Sequence, residues 1–370
     1  MKIMIAAGGT GGHIYPGIAI AKYIQKNNND VEILFVGTKK GLEKEIVPNE
    51  GFNIKFIRVK GFERKITLDT FKSVKELFLG LKDAKKIIKV FNPDIVIGTG
   101  GYVCGPILFM ASRKRIPTLI HEQNAFPGIT NRILSRFVDK IAVSFIDAKE
   151  YFNNKDKVFV SGNPIRDDFK VNNKNKAREE LGIPNIATLI TVMGGSQGAR
   201  SINSSMIDVI KKYKNDQEVY IIHITGKNQY DKIISNLESN NINIDNINNI
   251  KVLPYSFKIP ILFCASDLII SRSGAMTVSE ICAVGRASIL IPYPYATNNH
   301  QEYNAKVITE KKGGILIKDA DLNGEKLCKN IQSLLSNKKK LHEMENITSK
   351  LGILNADALI YNEINKLQHA

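Results

Sequence analysis

The sequence has no long apolar run and few cysteines. No stretch of its 370 residues approaches the roughly 18 consecutive apolar residues that a membrane-spanning helix needs. The first residues read as an apolar strand rather than a signal peptide, so we expect a soluble protein that stays in the cytoplasm. The four cysteines include no CxxC pair, and no histidine stands at zinc spacing, which argues against a disulfide framework and a structural metal site. We predict neither a metal nor a cofactor.

Acidic residues are too few to balance the basic ones. There are 36 Asp and Glu against 52 Lys and Arg, and the formal net charge is +16. This charge predicts an acidic partner, for which nucleic acid, an anionic membrane and a phosphorylated substrate all qualify. The chain has no RNA-binding signature, so a nucleic-acid partner is not predicted.

Part of this charge lies in residues 58–91, which contain ten lysines or arginines and four acidic residues. Lysines alternate there with phenylalanine, leucine and valine, especially around Leu68 to Lys89. Such a basic amphipathic surface is typical of a protein that rests on anionic lipid. A core-facing helix with a solvated back face would show the same pattern, and the sequence leaves both interpretations open.

Two glycine-rich turns lie about half the chain apart, at residues 8–13 (GGTGGH) and 194–199 (GGSQGA). Each follows an apolar strand and opens a helix, an arrangement that binds anions through backbone N–H groups. Neither turn continues into the Gly-Lys-Ser/Thr of a P-loop. Neither has the third glycine of the dinucleotide fingerprint, which argues against a nicotinamide dehydrogenase.

Strands and helices alternate along both halves of the chain, which predicts an α/β fold with two Rossmann-like domains whose parallel sheets face a central cleft. The break at residues 162–164 (GNP) ends the first domain. We therefore expect an N-terminal domain over residues 1–163, a C-terminal domain over 164–341 and closing helices over 342–370.

Two residues of the first half are candidate general bases. His13 stands at the start of the first helix, where the helix dipole favours a neutral imidazole, although a lone histidine is more often structural. Glu122 belongs to a polar run at residues 121–124 (HEQN), directly after a strand, where ligands bind in parallel sheets. The alternative is that these polar groups cap the next helix.

In the second half, residues 271–280 lead from a strand end into a helix. Thr277 and the nearby N–H groups suit a phosphate, and Glu280, one turn later, suits the two hydroxyls of a ribose. A capping threonine with a solvated glutamate is the alternative. Arg166 is a forked donor for phosphate unless it is only a surface residue, and His300 with Gln301 suits sugar hydroxyls.

Seven motifs carry a resemblance: residues 8–13, 98–102, 121–124, 162–166, 194–199, 272–280 and 300–301. In this order they resemble the MurG family of GT-B glycosyltransferases over nearly the whole chain. The resemblance implies an inverting enzyme that moves N-acetylglucosamine from UDP-GlcNAc to the 4-hydroxyl of the muramyl residue of undecaprenyl-pyrophosphoryl-MurNAc-pentapeptide (lipid I), giving lipid II for peptidoglycan synthesis. The N-terminal domain would then bind the acceptor and the membrane, and the C-terminal domain the donor.

The resemblance also implies which residues bind the substrates. They are Thr10, Gly11, Gly12, Asn124, Arg166, Ser196, Gln197, Ser256, Ala275, Met276, Thr277, Val278, Ser279, Glu280 and Gln301. Ser256 stands where the family usually has an aliphatic residue that contacts uracil through its main chain. His13 is the first candidate for the base and Glu122 the second.

The implied location is the cytoplasmic face of the inner membrane, as a peripheral protein with other cell-wall synthesis proteins as possible partners. A UDP-GlcNAc 2-epimerase shares the two-domain scaffold and the nucleotide and is the competing expectation. It would convert UDP-GlcNAc with no acceptor present.

Overall fold

The structure is a computed structural model that describes residues 1–59, 68–170, 173–195 and 197–368, without the side chains of residues 68–74. By its internal contacts the chain divides into two units, Met1–Ile165 with Leu354–Ala370, and Arg166–Ile353. Each unit is built on one parallel sheet. The predicted pair of parallel α/β domains is confirmed.

The first unit is a seven-stranded sheet in the order β3-β2-β1-β4-β5-β6-β7. Its strands are β1 Lys2–Ala7, β2 Glu32–Gly37, β3 Asn53–Phe56, β4 Ile95–Gly100, β5 Thr118–Glu122, β6 Lys140–Val143 and β7 Val158–Val160. Its helices are α1 Gly11–Asn27, α2 Glu43–Asn49, α3 Leu68–Phe91, α4 Cys104–Arg113 and α5 Ile129–Leu134, joined by α14 Ala356–Gln368 from the end of the chain.

Strand β1 is buried on both faces. Its side chains alternate, so that Ile3 and Ile5 enter one apolar cluster while Met4 and Ala6 enter another. All four are fully buried. Helices therefore cover the sheet on both sides, as parallel sheets require.

The second unit is a six-stranded sheet in the order β10-β9-β8-β11-β12-β13. Its strands are β8 Thr188–Met193, β9 Val219–Ile224, β10 Ile250–Leu253, β11 Leu268–Ser271, β12 Ala287–Leu290 and β13 Gly314–Leu316. Its helices are α6 Lys174–Leu181, α7 Arg200–Tyr213, α8 Tyr230–Ser239, α9 Ile259–Ala265, α10 Ala275–Val284, α11 His300–Thr309, α12 Gly324–Leu335 and α13 Lys338–Ser349.

The final segment, expected to supply closing helices over residues 342–370, is divided between the two units. Helix α13 belongs to the second unit, whereas α14 packs on α1 of the first. Ile360 and Ile364 of α14 are fully buried in the cluster that also holds Ile3 and Ile5. The apolar spacing of α14 thus serves the core of the domain that begins the chain.

In both sheets the strand order reverses beside the first strand of the unit. The chain runs outward from β1 to β2 and β3 and then crosses to β4 on the other side of β1. In the second unit the same reversal falls between β8 and β11. Open parallel sheets bind ligands at the carboxyl ends of the strands at such a point.

Candidate active site

Two glycine turns meet at the reversal point of the first unit. The turn after β1 approaches the turn after β4 so closely that the Gly8 N–H donates to the Gly100 carbonyl oxygen at 3.3 Å. A Cβ on Gly101 would lie 2.3 Å from the Gly8 oxygen, and Gly101 has φ +87°. Only glycine fits there, because a side chain would collide with backbone in a conformation that L residues rarely adopt.

His13 lies in the first turn of α1, against the second of these turns. Its imidazole is half-buried, and a Cβ on Gly100 would lie 2.3 Å from its Nδ1 atom. The Thr99 hydroxyl donates to the His13 carbonyl oxygen at 2.8 Å, and His13 Nδ1 is 3.1 Å from Gln123 Oε1. The fold therefore holds this ring at the edge where the strands end.

Thr10, Gly11 and Gly12 form the surface around His13. Thr10 is the N-cap residue of α1 and makes no side-chain capping bond. Thr10 and Gly12 are exposed, and Gly11 is half-buried. The N–H groups that begin a helix have no intrahelical partner and carry the positive end of its dipole. This part of the first unit therefore suits an anion.

Glu122 is buried and its carboxylate accepts four hydrogen bonds. Oε1 accepts from the backbone and side-chain nitrogens of Asn124 at 3.0 and 3.1 Å. Oε2 accepts from the Gly128 N–H at 3.0 Å and from Asn131 Nδ2 at 2.8 Å. The side chain is 1% exposed. Both oxygens are thus committed to holding the loop between β5 and α5, which includes Asn124.

Sequence analysis missed Glu43, which is fully buried beside the first glycine turn. Its Oε2 atom accepts from the Gly9 N–H at 3.0 Å, and its Oε1 atom accepts from the backbone N–H and hydroxyl of Thr38, both at 2.8 Å. A Cβ on Gly8 would lie 2.9 Å from the same carboxylate. The available signal was weak, because a glutamate in the first turn of a helix is ordinarily a solvated residue.

The second glycine-rich turn, residues 194–199, follows β8 in the second unit. Gly195 and Gly198 have φ +91° and +75°, and a Cβ on Gly198 would lie 1.9 Å from the Thr225 carbonyl oxygen. The Gln197 backbone oxygen accepts from Gln229 Nε2 at 3.3 Å, so the segment that follows β9 supports the turn. Ser196, predicted to bind the substrate, lies outside the described residues.

Helix α10 begins at the neighbouring strand end. Its N-cap Gly274 has extended backbone, and the first helical bond joins the Val278 N–H to the Gly274 oxygen at 2.9 Å. Three residues of α10 precede Val278: Ala275, Met276 and Thr277. As at any helix start, their N–H groups have no acceptor within the helix. Ser279 follows within the same helix.

Glu280 lies on α10 one turn after Thr277, on the same face. Its side chain is partly exposed, yet the surrounding protein desolvates the carboxylate and raises its pKa to about 7. Arg166 opposes this rise through its positive charge. Arg166 itself is exposed and lies 5.1 Å from the centre of the Phe169 ring. The carboxylate is therefore harder to ionise than that of a solvated glutamate.

Gln301 lies in the first turn of α11 and is hydrogen-bonded to Ser273, just before α10 begins. Its backbone oxygen accepts from the Ser273 hydroxyl at 2.8 Å, and its side-chain Oε1 atom accepts from the Tyr293 N–H at 2.9 Å. The side-chain amide nitrogen remains a donor for a ligand. Neighbouring His300 is bound through Nδ1 to the Thr297 carbonyl oxygen at 2.7 Å.

Ser256 and Arg272 are two further residues of the second unit whose side chains form hydrogen bonds within the fold. Ser256 lies in the loop after β10, half-buried, and its hydroxyl accepts from the Lys258 N–H at 3.1 Å. Arg272, in the strand-to-helix motif, is committed to the fold instead. It donates to the carbonyl oxygens of Ile291 and Pro292, each at 3.1 Å, and pairs with Asp319.

Two family descriptions match the chain. The "Glycosyltransferase family 28 N-terminal domain" matches residues 3–143, and the "Glycosyltransferase family 28 C-terminal domain" matches residues 189–359. A relative of known family spans both regions. A protein of Acetivibrio thermocellus is 50% identical over 370 residues, which cover 99% of this chain and 98% of that protein. The chain belongs to glycosyltransferase family 28.

The Acetivibrio thermocellus protein is named UDP-N-acetylglucosamine–N-acetylmuramyl-(pentapeptide) pyrophosphoryl-undecaprenol N-acetylglucosamine transferase. A Thermoanaerobacter relative with the same name is 50% identical over 367 residues, covering 99% of this chain and all of that protein. These matches confirm the predicted resemblance to the MurG family of transferases.

Solved structures agree with this family. The crystal structure of MurG from Acinetobacter baumannii has a TM-score of 0.82 at 27% identity, covering 99% of each chain. A UDP-GlcNAc 2-epimerase from Neisseria meningitidis has a TM-score of 0.67 at 15% identity, covering 99% of this chain and 100% of that one. The second likeness shows a shared fold alone.

Proposed function

We propose that this glycosyltransferase moves N-acetylglucosamine from UDP-GlcNAc to the 4-hydroxyl of the muramyl residue of lipid I, with inversion at the anomeric carbon, and so forms lipid II. The relatives that are 50% identical over 99% of the chain are named for this transfer. The observation that carries the proposal at residue level is that each unit has a glycine turn and an open helix start where its strand order reverses.

The second unit supplies the donor site in this proposal. The first N–H groups of α10 and the Thr277 hydroxyl bind the diphosphate, and the Glu280 carboxylate accepts the two ribose hydroxyls. The free amide donor of Gln301, the exposed Arg166 guanidinium and the turn that holds Gln197 add polar contacts. Ser256 offers its main chain to the base. Charge that develops on the leaving diphosphate is stabilised by these donors.

The first unit supplies the acceptor site and the base. In one displacement, the 4-hydroxyl oxygen attacks the anomeric carbon, the bond from that carbon to the diphosphate oxygen breaks, and UDP leaves with the bonding electrons. The hydroxyl proton passes to a ring nitrogen of His13. His13 is half-buried beside the exposed Thr10 and Gly12, whereas both oxygens of Glu122 already accept two hydrogen bonds each. We therefore assign the base to His13 and a structural role to Glu122.

Helix α3 supplies a membrane-facing surface in this proposal. Phe78 and Val90 are 68% and 79% exposed. Exposed lysines lie around them on the same helical face: Lys75, Lys82, Lys85, Lys86 and Lys89. Each of these charges contributes about 1 kcal/mol near an anionic surface. Among the described residues, no helix has the length and apolar character needed to cross a bilayer. We propose that the protein is peripheral on the cytoplasmic face of the membrane that holds its acceptor.

Transfer of label tests the reaction. UDP-GlcNAc labelled in the sugar is incubated with a lipid I analogue, and the expected result is acceptor-dependent label in the lipid fraction with a β-linked product. His13→Ala should lower kcat by about 10²–10⁴-fold, the range for loss of a general base. Conversion of UDP-GlcNAc to its 2-epimer without acceptor would instead favour the epimerase reaction.

Vesicle sedimentation tests the membrane surface. Replacing Lys82, Lys86 and Lys89 by glutamate should abolish binding to vesicles with anionic lipid at low salt. The matched control replaces the three lysines at 338–340 of the second unit, which are equally exposed, and should leave binding unchanged. Equal loss in both variants would mean that only the net charge of the protein matters.

A further inference from the structure

A buried glutamine connects two histidines of the first unit, His13 and His121. Gln123 is 2% exposed, and its side-chain amide touches both His13 and His121. An amide has one end that accepts and one that donates, so its orientation dictates where each neighbouring ring carries hydrogen.

Two carbonyl groups fix the orientation of this amide. Gln123 Nε2 is 2.7 Å from the Thr99 oxygen and 3.2 Å from the His121 oxygen. Carbonyl oxygens only accept, so the nitrogen must face them. Turning the amide over would place its oxygen against both carbonyls and leave buried groups without partners, which costs about 1–3 kcal/mol for each group.

The other end of the amide therefore presents its oxygen to His13. Gln123 Oε1 is 3.1 Å from His13 Nδ1, and this oxygen can only accept. The hydrogen of a neutral His13 ring must then lie on Nδ1. The second ring nitrogen, Nε2, is left with its lone pair, which is the state that a general base requires.

His121 supports the same orientation from the opposite side. Its Nδ1 atom is 2.9 Å from Gln123 Nε2 and accepts, while its Nε2 atom is 3.0 Å from the Gly162 oxygen and donates. Burial lowers the pKa of His121 to about 4, so the ring stays neutral and keeps Nδ1 free to accept. Asn163 Nδ2 donates to the Gln123 backbone oxygen at 3.2 Å and holds the residue in place.

We propose that Gln123 is a positioning residue that sets the tautomer of His13, with hydrogen on Nδ1 and Nε2 free to take the acceptor proton. Its catalytic consequence rests on the proposed function, in which His13 is the base. The tautomer itself does not depend on any substrate, so it can be measured separately from the reaction.

Nitrogen-15 NMR of the histidine rings measures this tautomer in the full chain. The six histidines give six pairs of ring-nitrogen signals, and His13→Gln identifies the pair from His13. At a pH where His13 is neutral, we expect its Nδ1 to have the shift of a protonated nitrogen and its Nε2 the shift of a bare one. In Gln123→Met, which keeps the length but removes the acceptor, the two tautomers should mix. A wild-type ring with hydrogen on Nε2, or an unchanged tautomer in Gln123→Met, would overturn the proposal.

Kinetics tests the consequence. Gln123→Met should lower kcat at least tenfold and leave the KM for UDP-GlcNAc within about threefold. Thr118→Val, on the strand that leads to Gln123, is the matched control: it removes two hydrogen bonds between a buried hydroxyl and Asp139 without touching His13, His121 or Gln123, and should keep the wild-type tautomer.

The outcomes separate the two proposals. A wild-type NMR pattern as expected, together with full activity in His13→Ala, would remove His13 as the base but leave the tautomer assignment intact. The expected loss in His13→Ala together with an unchanged tautomer in Gln123→Met would keep the base and reject the role of Gln123.

Discussion

The substitution Glu122→Gln separates a structural carboxylate from a catalytic one. The carboxylate accepts two hydrogen bonds at each oxygen, from Asn124 on one side and from Gly128 and Asn131 on the other. An amide replaces one oxygen by a donor. Whichever way it turns, its nitrogen meets one backbone N–H, of Asn124 or of Gly128, that can only donate, so at least one buried hydrogen bond is lost.

The size of the effect follows from that bond. A hydrogen bond to a charged group contributes about 1.5–3 kcal/mol, so Glu122→Gln should lower the free energy of unfolding by at least this amount. For a unit of this size, 1 kcal/mol corresponds to about 2–4 °C, so the Tm of the first unit should fall by about 3–12 °C. The transfer rate of folded enzyme should stay within about tenfold of the wild type, because the base is intact, whereas loss of a base costs about 10²–10⁴-fold.

Differential scanning calorimetry and single-turnover transfer at low temperature measure the two quantities. Glu45→Gln is the control, since that glutamate is in the same unit with a 73% exposed side chain and should change stability by less than about 0.5 kcal/mol. An unchanged Tm with a thousandfold slower transfer in Glu122→Gln would refute the structural role and make Glu122 the base.

Three further predictions concern the second unit. Gly198→Ala would place a Cβ 1.9 Å from the Thr225 oxygen and should weaken UDP binding at least tenfold by calorimetry. Gly195→Ala, with φ +91° but no atom within 4 Å, should weaken UDP binding less. Equal losses in the two variants would contradict this prediction. Because burial raises the pKa of Glu280 to about 7, UDP affinity should rise from pH 6 to 8 as the carboxylate forms. Glu280→Gln should flatten this pH profile. A flat profile in the wild type would argue against ribose binding by Glu280. Buried Arg178 donates to four backbone carbonyl oxygens. Arg178→Lys should therefore lower the free energy of unfolding by about 3–5 kcal/mol in a denaturant titration. A loss under about 1 kcal/mol would mean that these hydrogen bonds contribute little to stability.

Local patterns were enough to predict the strands that position the candidate site. An apolar strand is expected before each glycine-rich turn, and β1 and β8 end directly before these turns, at Ala7 and Met193. Buried parallel strands are near-continuous apolar runs between glycine-rich turns, and this signal lies within a few neighbouring residues. The helices that open at the glycine turns could be placed for the same reason.

Partners far apart in the chain could not be predicted in this way. His13 and Gln123 are 110 positions apart, and Gly9 and Glu43 are 34 apart. No local period indicates that a buried glutamate would hold a glycine turn, or that a helix at the end of the chain would pack on α1. Such pairs exist only after the sheet of the first unit has formed and brought its strand ends together.

The sequence by itself therefore determined two parallel α/β domains, a glycine turn at the first strand of each, and the polar residues that stand at their edges. Only the tertiary structure decided that both oxygens of Glu122 are used within its loop, that Glu43 supports the first turn, and that the Gln123 amide presents its oxygen to His13. The physical reason is that strand periodicity and turn chemistry are properties of neighbouring residues. The direction of a buried hydrogen bond depends on every donor and acceptor that packing places around it.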